Sequence, residues 1–340
     1  MQYDASFLSN ESALRLMLPL HVALAPPGAT LPTLARIAYG LAPDALLTVP
    51  LEALSGPATE VWTTSQDIKS FAHENVRAHY TKTALIMAGR VQAPGETSFE
   101  AQVTQLYDRM LDSAQALGFP HVLRLWNYLP HITAPSLGMD FYQRFNRARA
   151  AALEGRLSQW PAATAVGTYG QDICVYLLAA STPGTALENP RQVSAYLYPP
   201  QYGPKSPLFA RAVLKHWNGV THLYLSGTAS VLGHASRHAG DVLAQLDESL
   251  QNIEALLAAN VHQTGPLSLR DLTTIKVYLA AADDAAAIRE RLAVAFPGQE
   301  PLLLHADLCR KELLVELEAV VLCPNAPAVL RAPQNVPAHG

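Results

Sequence analysis

From Lys82 onward, hydrophobic and polar positions alternate in blocks whose order repeats. TALIMAGRV, beginning at Thr83, reads as an apolar strand ending in Gly89. Phe99, Val103, Leu106, Met110 and Leu117 then recur at helical spacing. Gly118 is placed to stop that helix, and Pro120 lies two residues beyond. HVLRLWNYL is a second strand, Phe141–Leu153 a basic helical segment, and PAATAVG and QDICVYLLAA two more strands. The second half repeats this order. Leu223–Ser230 is a strand ending in a small-residue turn, and Leu243, Leu246, Leu250, Ile253 and Leu257 form a helical stripe. TTIKVYLAA is a strand, DAAAIRERLAVAF a helix closed by Pro297-Gly298, and PLLLHADLC leads into a last strand. The pattern predicts an α+β protein built by internal duplication.

The last strand carries the sharpest chemical signal. In CRKELLVELEAVV (Cys309–Val321), Leu313, Val315, Leu317, Ala319 and Val321 point one way, while Glu312, Leu314, Glu316, Glu318 and Val320 point the other. Two glutamates therefore share one face of a strand whose other face is wholly apolar. One reading puts both on the wet face of an antiparallel sheet. The other buries Glu316, where a carboxyl must be paired or protonated, and makes it a general acid.

The flanking segments are less regular. Residues 1–80 are rich in Ala, Leu and Pro, with short strand-like pieces such as Leu14–Leu24 and no motif. Ser181–Leu214 is a Pro- and Tyr-rich connector, too aromatic for disorder. Its Tyr196, Tyr198 and Tyr202 offer hydroxyls, and its Arg191, Lys205 and Arg211 offer cations. A stiff loop so equipped suits a carboxylate-bearing ligand; the same residues also suit an ordered loop with cations facing water. Arg147 and Arg149 form a second cationic pair on the FNRARA helix. The SGTAS turn offers unhindered backbone N–H groups to an anion. The expected division is residues 1–180, the connector 181–214, and residues 215–330.

Composition narrows the function classes. The chain has 340 residues, 49% of them hydrophobic and 15% charged, with a net charge of −4. That balance argues for a globular protein with an ample core, and against nucleic-acid or membrane-surface partners, which need clustered Lys and Arg. The three cysteines, Cys174, Cys309 and Cys323, form no CxxC pair, which excludes a disulfide scaffold and a Cys-based zinc site. No apolar run spans a bilayer and no secretory signal is legible, so a cytoplasmic protein is expected. His234 and His238 stand four apart, but in a Gly/Ser/Arg-rich stretch rather than on a periodic helix, which argues against a metal pair.

WNYLPHI (Trp126–Ile132), YQRFNRAR (Tyr142–Arg149), NPRQVSAYLYPPQYGPKSPLFARA (Asn189–Ala212), SGTASVLGHAS (Ser226–Ser236) and ADLCRKELLVELEA (Ala306–Ala319), in that order, resemble the chorismatase family. The second half alone also resembles the Rid (YjgF-type) superfamily through its VELEA run. The resemblance implies two Rid-like α+β units, the first degenerate, with a ligand pocket where the units meet. It implies cleavage of chorismate to pyruvate and 3-hydroxybenzoate, with 4-hydroxybenzoate as a possible further product. Chorismate would be the small-molecule partner, with no metal or organic cofactor. Glu316 matches the family's catalytic acid, and Cys309 a cysteine of the hydroxybenzoate-forming members. Arg149, Arg211, Tyr196 and Tyr202 match positions that hold the substrate carboxylates, and Thr228 and Ala229 lie on the turn lining the pocket. Ala148 and Thr133 depart from the family pattern of Gly and Asn. A chorismate hydrolase giving a dihydrodiol, a Rid-like imine or enamine hydrolase, and a silent binding protein are the alternatives. Monomer and small homo-oligomer both stay open.

Overall fold

The computed structural model describes residues 19–24, 32–40, 42 and 44–323. Two mixed sheets, each with two helices on its outer face, enclose a shared central core. The first is built from β1 (Lys69–His73), β2 (Val76–Tyr80), β3 (Ala84–Val91), β4 (His121–Pro130), β5 (Ala162–Thr168) and β6 (Ile173–Ala180), in the order β5-β4-β6-β3-β2-β1. Its helices are α1 (Phe99–Ala116) and α2 (Phe141–Leu153). The second contains β7 (Ala212–Trp217), β8 (Val220–Ala229), β9 (Leu272–Leu279), β10 (Leu302–His305) and β11 (Val315–Cys323), in the order β10-β9-β11-β8-β7. Its helices are α3 (Val242–Ala259) and α4 (Ala285–Ala295). In each sheet one pair, β5 with β4 and β10 with β9, runs parallel across a helical crossover, and the closing strand runs antiparallel beside it.

Short strands at His21–Ala23, Thr33–Tyr39, Leu47–Val49 and Thr59–Thr63 form a separate four-stranded sheet against the central core. Glu52–Ser55 and Thr185–Leu187 extend the two edges of the second sheet. The periodic segments of the sequence thus form the elements expected of them, and α2 spans the residues read as helical. Of the strand-like stretch Leu14–Leu24, His21–Ala23 is a strand and residues 14–18 lie outside the described residues. The last strand begins at Val315 rather than Glu312, because residues 309–314 form a turn. The strand expected to end near Gly89 runs on to Val91. Among the described residues no helix is long and apolar enough to cross a membrane.

Charge lies at the centre of this molecule. Lys276 on β9 reaches Glu60 at 2.7 Å and Glu318 at 2.5 Å, and Arg124 on β4 reaches Glu318 at 2.6 Å, all four side chains being about 2% exposed. The hydroxyls of Tyr39, Tyr128, Tyr176 and Tyr278 and the indoles of Trp62 and Trp126 complete the network. It ties the N-terminal sheet, through Glu60 and Tyr39, to both large sheets. Removing one partner from such a cluster leaves an uncompensated charge, at a cost of about 3–5 kcal/mol. Glu60→Ala is therefore expected to lower the urea midpoint sharply. Lys205→Ala, which breaks only an exposed pair with Glu154, should leave the midpoint almost unchanged.

Candidate active site

The cavity that gathers the sequence candidates opens at the seam between the two sheets and holds about 310 Å³. Helix α2 begins at a capping box, with Asp140 accepting from the Gln143 N–H and Gln143 reaching back. It presents Tyr142, Asn146 and Arg149 at helical spacing to the cavity, whose floor is Thr164 on β5. Across from them lie Gly227 and Ala229 at the end of β8 and Glu316 on β11; Ala229 is the cross-strand partner of Glu316. Cys309 and Arg310 close one side, and Tyr198, Tyr202, Phe209 and Arg211 of the connector close the other.

Glu316 and Glu318 do share a face, and that face is buried: Glu316 is 5% exposed and Glu318 2%. The wet-face reading fails because β4 and β5 of the other sheet pack over these positions, bringing Arg124 and Thr164 against them. The two carboxyls then separate in chemistry. Burial alone would raise Glu318, but Lys276 and Arg124 outweigh it and hold it ionised. Glu316 has no donor within hydrogen-bond reach among the described residues. Burial first, and then the negative charge of Glu318, push it up to about 8, against the weaker pull of Arg124 and Arg211. At neutral pH it is a carboxylic acid facing a cavity.

The cations face it with unspent valence. Arg149, 3% exposed, donates one N–H to the Leu208 carbonyl, and its Nε has no partner. Arg211, 6% exposed, donates to the Val193 carbonyl and the Tyr198 hydroxyl, and its Nε is also without a partner. The Asn146 amide, 2% exposed, lies beside the Tyr142 hydroxyl and makes no well-formed hydrogen bond among the described residues. Buried polar atoms left open cost about 1–3 kcal/mol each, so their concentration at one cavity points to a polar anionic ligand that completes them. The Cys309 thiol is pushed up to about 12 by burial and by Glu316, and is neutral. Tyr142, beside Cys309 and Asn146, is held well above the usual phenol range by burial.

Tyr202 lines the cavity, its hydroxyl 3.1 Å from His234 Nδ1 and its ring 4.0 Å from the Arg310 guanidinium. Two expected residues point elsewhere. Tyr196 sits in the turn Ala195–Leu197 and packs against the first sheet's core, so Tyr198 takes the place beside Arg211. Thr228 pairs with Leu317, on the face opposite Glu316, and its hydroxyl turns back to the Ser226 carbonyl; strand alternation leaves Gly227 and Ala229 on the cavity side. The other connector cations serve the fold, Arg191 on Glu248 and Asn252 and Lys205 on Glu154. His234 and His238 part company, one bonded to Tyr202 and the other to Glu248. Tyr142, Asn146 and Gly227 lie within segments that carry the family resemblance but were not singled out there, and Arg124 and Thr164 lie outside those segments. The sequence signal for Arg124, as for Lys276, is a single cation inside an otherwise apolar strand, which demands a buried acid.

The cavity thus sets a buried, protonated carboxyl among guanidinium groups with open donors. The family model described as chorismatase FkbO/Hyg5-like, N-terminal, matches residues 60–179. A 3-hydroxybenzoate synthase of Streptomyces hygroscopicus is 36% identical over 280 residues, 78% of this chain and 82% of its own. A chorismatase of Streptomyces rapamycinicus is 33% identical over 78% of this chain and 86% of its own. A chorismatase crystal structure superposes with a TM-score of 0.77 at 28% identity, covering 89% of this chain and 97% of that one. The chain belongs to the chorismatase family.

Burial raises all three thiols, Cys174 to about 11 and Cys309 and Cys323 to about 12. At pH 8 the folded protein should therefore react slowly with a disulfide reagent that releases a coloured thiol, and release three equivalents once denatured.

Proposed function

We propose that this protein cleaves chorismate to pyruvate and a hydroxybenzoate, with Glu316 as the proton donor. The observation that carries the reading is a carboxyl kept neutral at pH 7 in a cavity walled by two incompletely bonded arginines. Chorismate bears two carboxylates and an enolpyruvyl ether. Arg149 and Arg211 supply fixed forks for the carboxylates, and Tyr198 and Tyr202 hold the connector over the ligand. Glu316 donates its proton to the terminal methylene carbon of the enol ether, which becomes a methyl group, and the positive charge settles on the ether carbon and oxygen. The ring–oxygen bond then breaks and the side chain leaves as pyruvate.

The ring has three exits. Attack by water gives a dihydrodiol, attack by the neighbouring hydroxyl through an arene oxide gives 3-hydroxybenzoate, and loss of the ring proton at the hydroxyl-bearing carbon gives 4-hydroxybenzoate. Cys309 occupies cavity volume next to Glu316 as a neutral, weakly polar group, which excludes water and favours the aromatic products.

The architecture belongs to the same reading. We read residues 1–180 and 215–330 as two Rid-like units, the first degenerate, joined by the connector 181–214. The support is that both sheets place a parallel crossover pair at one side, the closing strand next, and an antiparallel hairpin beyond it. On that register Cys174, opposite Tyr128, stands where Glu316, opposite Tyr278, stands in the second sheet. One unit carries the acid and the other supplies the wall.

Purified protein given chorismate alone should release pyruvate, read by a coupled dehydrogenase; no pyruvate would sink the reading. Glu316→Gln should lower release by about 10²–10⁴-fold while a dicarboxylate ring analogue still binds. Arg149→Ala and Arg211→Ala should each raise KM by roughly tenfold or more, with a smaller effect on kcat. Cys309→Ala should move the product mixture toward the dihydrodiol in chromatography. Because the acid form is the active one, turnover should be retained toward neutral pH and fall as pH rises through about 8.

A further inference from the structure

The Thr164 hydroxyl has one proton and two lone pairs, and the structure commits all three. It donates to Glu318 Oε2, accepts from Arg124 at 2.5 Å, and accepts from the backbone N–H of Gly227 at 3.0 Å. Glu318 in turn takes Lys276 and Arg124 as ion partners and the Trp126 indole and Tyr278 hydroxyl as donors. Those donors leave its carboxylate no demand on the Thr164 oxygen except the proton, so the lone pairs are fixed outward.

The backbone of Gly227 lies against the acid. A Cβ built there would lie 1.9 Å from Glu316 Oε1 and 3.1 Å from Thr164 Oγ1. Its N–H is the donor a carboxylate at Glu316 would use, and it is spent on threonine. The other charged and titratable groups acting on Glu316 come from several elements. Arg124 on β4 and Arg211 before β7 favour its anion, while Glu318 on its own strand opposes it. Tyr142 on α2 and the Cys309 thiol are both close enough to feel its charge, and both are neutral. None of these bonds to it.

We infer that Thr164 and Glu318 are positioning residues for the acid: together they withhold the Gly227 N–H from the Glu316 carboxyl and set a fixed negative charge beside it, so that Glu316 remains a proton donor. The inference rests on the proposed role of Glu316, and it deepens that role by naming what keeps the donor protonated. Thr164 and Glu318 are assigned no contact with the reacting atoms; they act through Glu316.

The test is the position of the basic limb in the pH profile of pyruvate release, together with infrared titration of the protonated carboxyl band that Glu316→Gln removes. Thr164→Val frees the Gly227 N–H toward Glu316 and should move both the limb and the band titration toward acid by about one pH unit. Thr164→Ser restores acceptor and donor and should return both to the wild-type position. Glu318→Gln removes the neighbouring charge and should shift them the same way as Thr164→Val. If Glu318→Gln does not fold, the threonine pair still decides the matter. A limb and band that stay at wild-type pH in Thr164→Val overturn the inference even where turnover drops, since that would be a purely structural effect. Absence of pyruvate release from the wild type overturns the functional reading instead, and the infrared titration then judges the inference independently.

Discussion

Two carboxyls two residues apart on one buried strand end with opposite charge states, and the rest of the molecule is arranged around that difference. Alternation puts Glu316 and Glu318 on the same face, so neither can escape to water without turning the strand over. Glu318 lies over the centre, where Lys276 and Arg124 compensate it, and stays ionised. Glu316 lies at the cavity, where no donor meets it, and stays protonated. Burial first, and then the like charge held nearby, make the second proton hard to lose. The ion pair is thus less an aid to stability, which buried pairs seldom are, than a fixed charge that sets the state of its neighbour.

That arrangement explains why the N-terminal sheet belongs to the enzyme. Lys276 faces two carboxylates, Glu318 and Glu60, and Glu60 comes from the Thr59–Thr63 strand of that sheet. With Arg124 the four charges balance. Without Glu60 the cluster would be net positive beside Glu316, and the acid would lose its proton more readily. Tyr39, from the same sheet, receives a further Lys276 N–H at 2.9 Å. The segment that carries no motif in the sequence therefore supplies half of the counter-charge behind the active site.

The periodic elements were legible because their apolar residues gather on one face, as the stripe of α3 does; β11 shows the same alternation although its glutamate face is buried as well. The short strands of the N-terminal sheet were not, since strands of 3–7 residues packed in the central core carry too few positions to show a period. Glu316, Cys309, Arg149, Arg211, Tyr202 and Ala229, the positions that the family resemblance implied, line the cavity. Tyr196 and Thr228 failed for a local reason: a one-residue choice of face in a tight turn and next to a strand irregularity cannot be read from composition. Asn146 and Thr164 gain meaning only from groups on strands distant in sequence, and no spacing rule reaches them.

The neutral state of the Cys309 thiol and the Tyr142 phenol also constrains the steps after protonation. Collapse to an aromatic product releases a ring proton, so a base must be present at that moment. The Cys309 thiol, pushed up to about 12, and the Tyr142 phenol, raised further still, are poor candidates. Of the other carboxylates lining the cavity, Asp140 is engaged in capping α2 and Glu312 bonds Ser236. On the proposed mechanism the base at hand is the Glu316 anion left by the first step, and its raised affinity for protons, a help to donation near neutral pH, makes it a stronger acceptor than an ordinary carboxylate. On that proposal one residue would serve as acid and as base within a turnover, and the enzyme would return to its starting state with no proton taken from solvent. Water entering the cavity would both solvate that anion and offer the dihydrodiol route. In the proposed mechanism a dry wall at Cys309 would protect the base and the product choice by the same means.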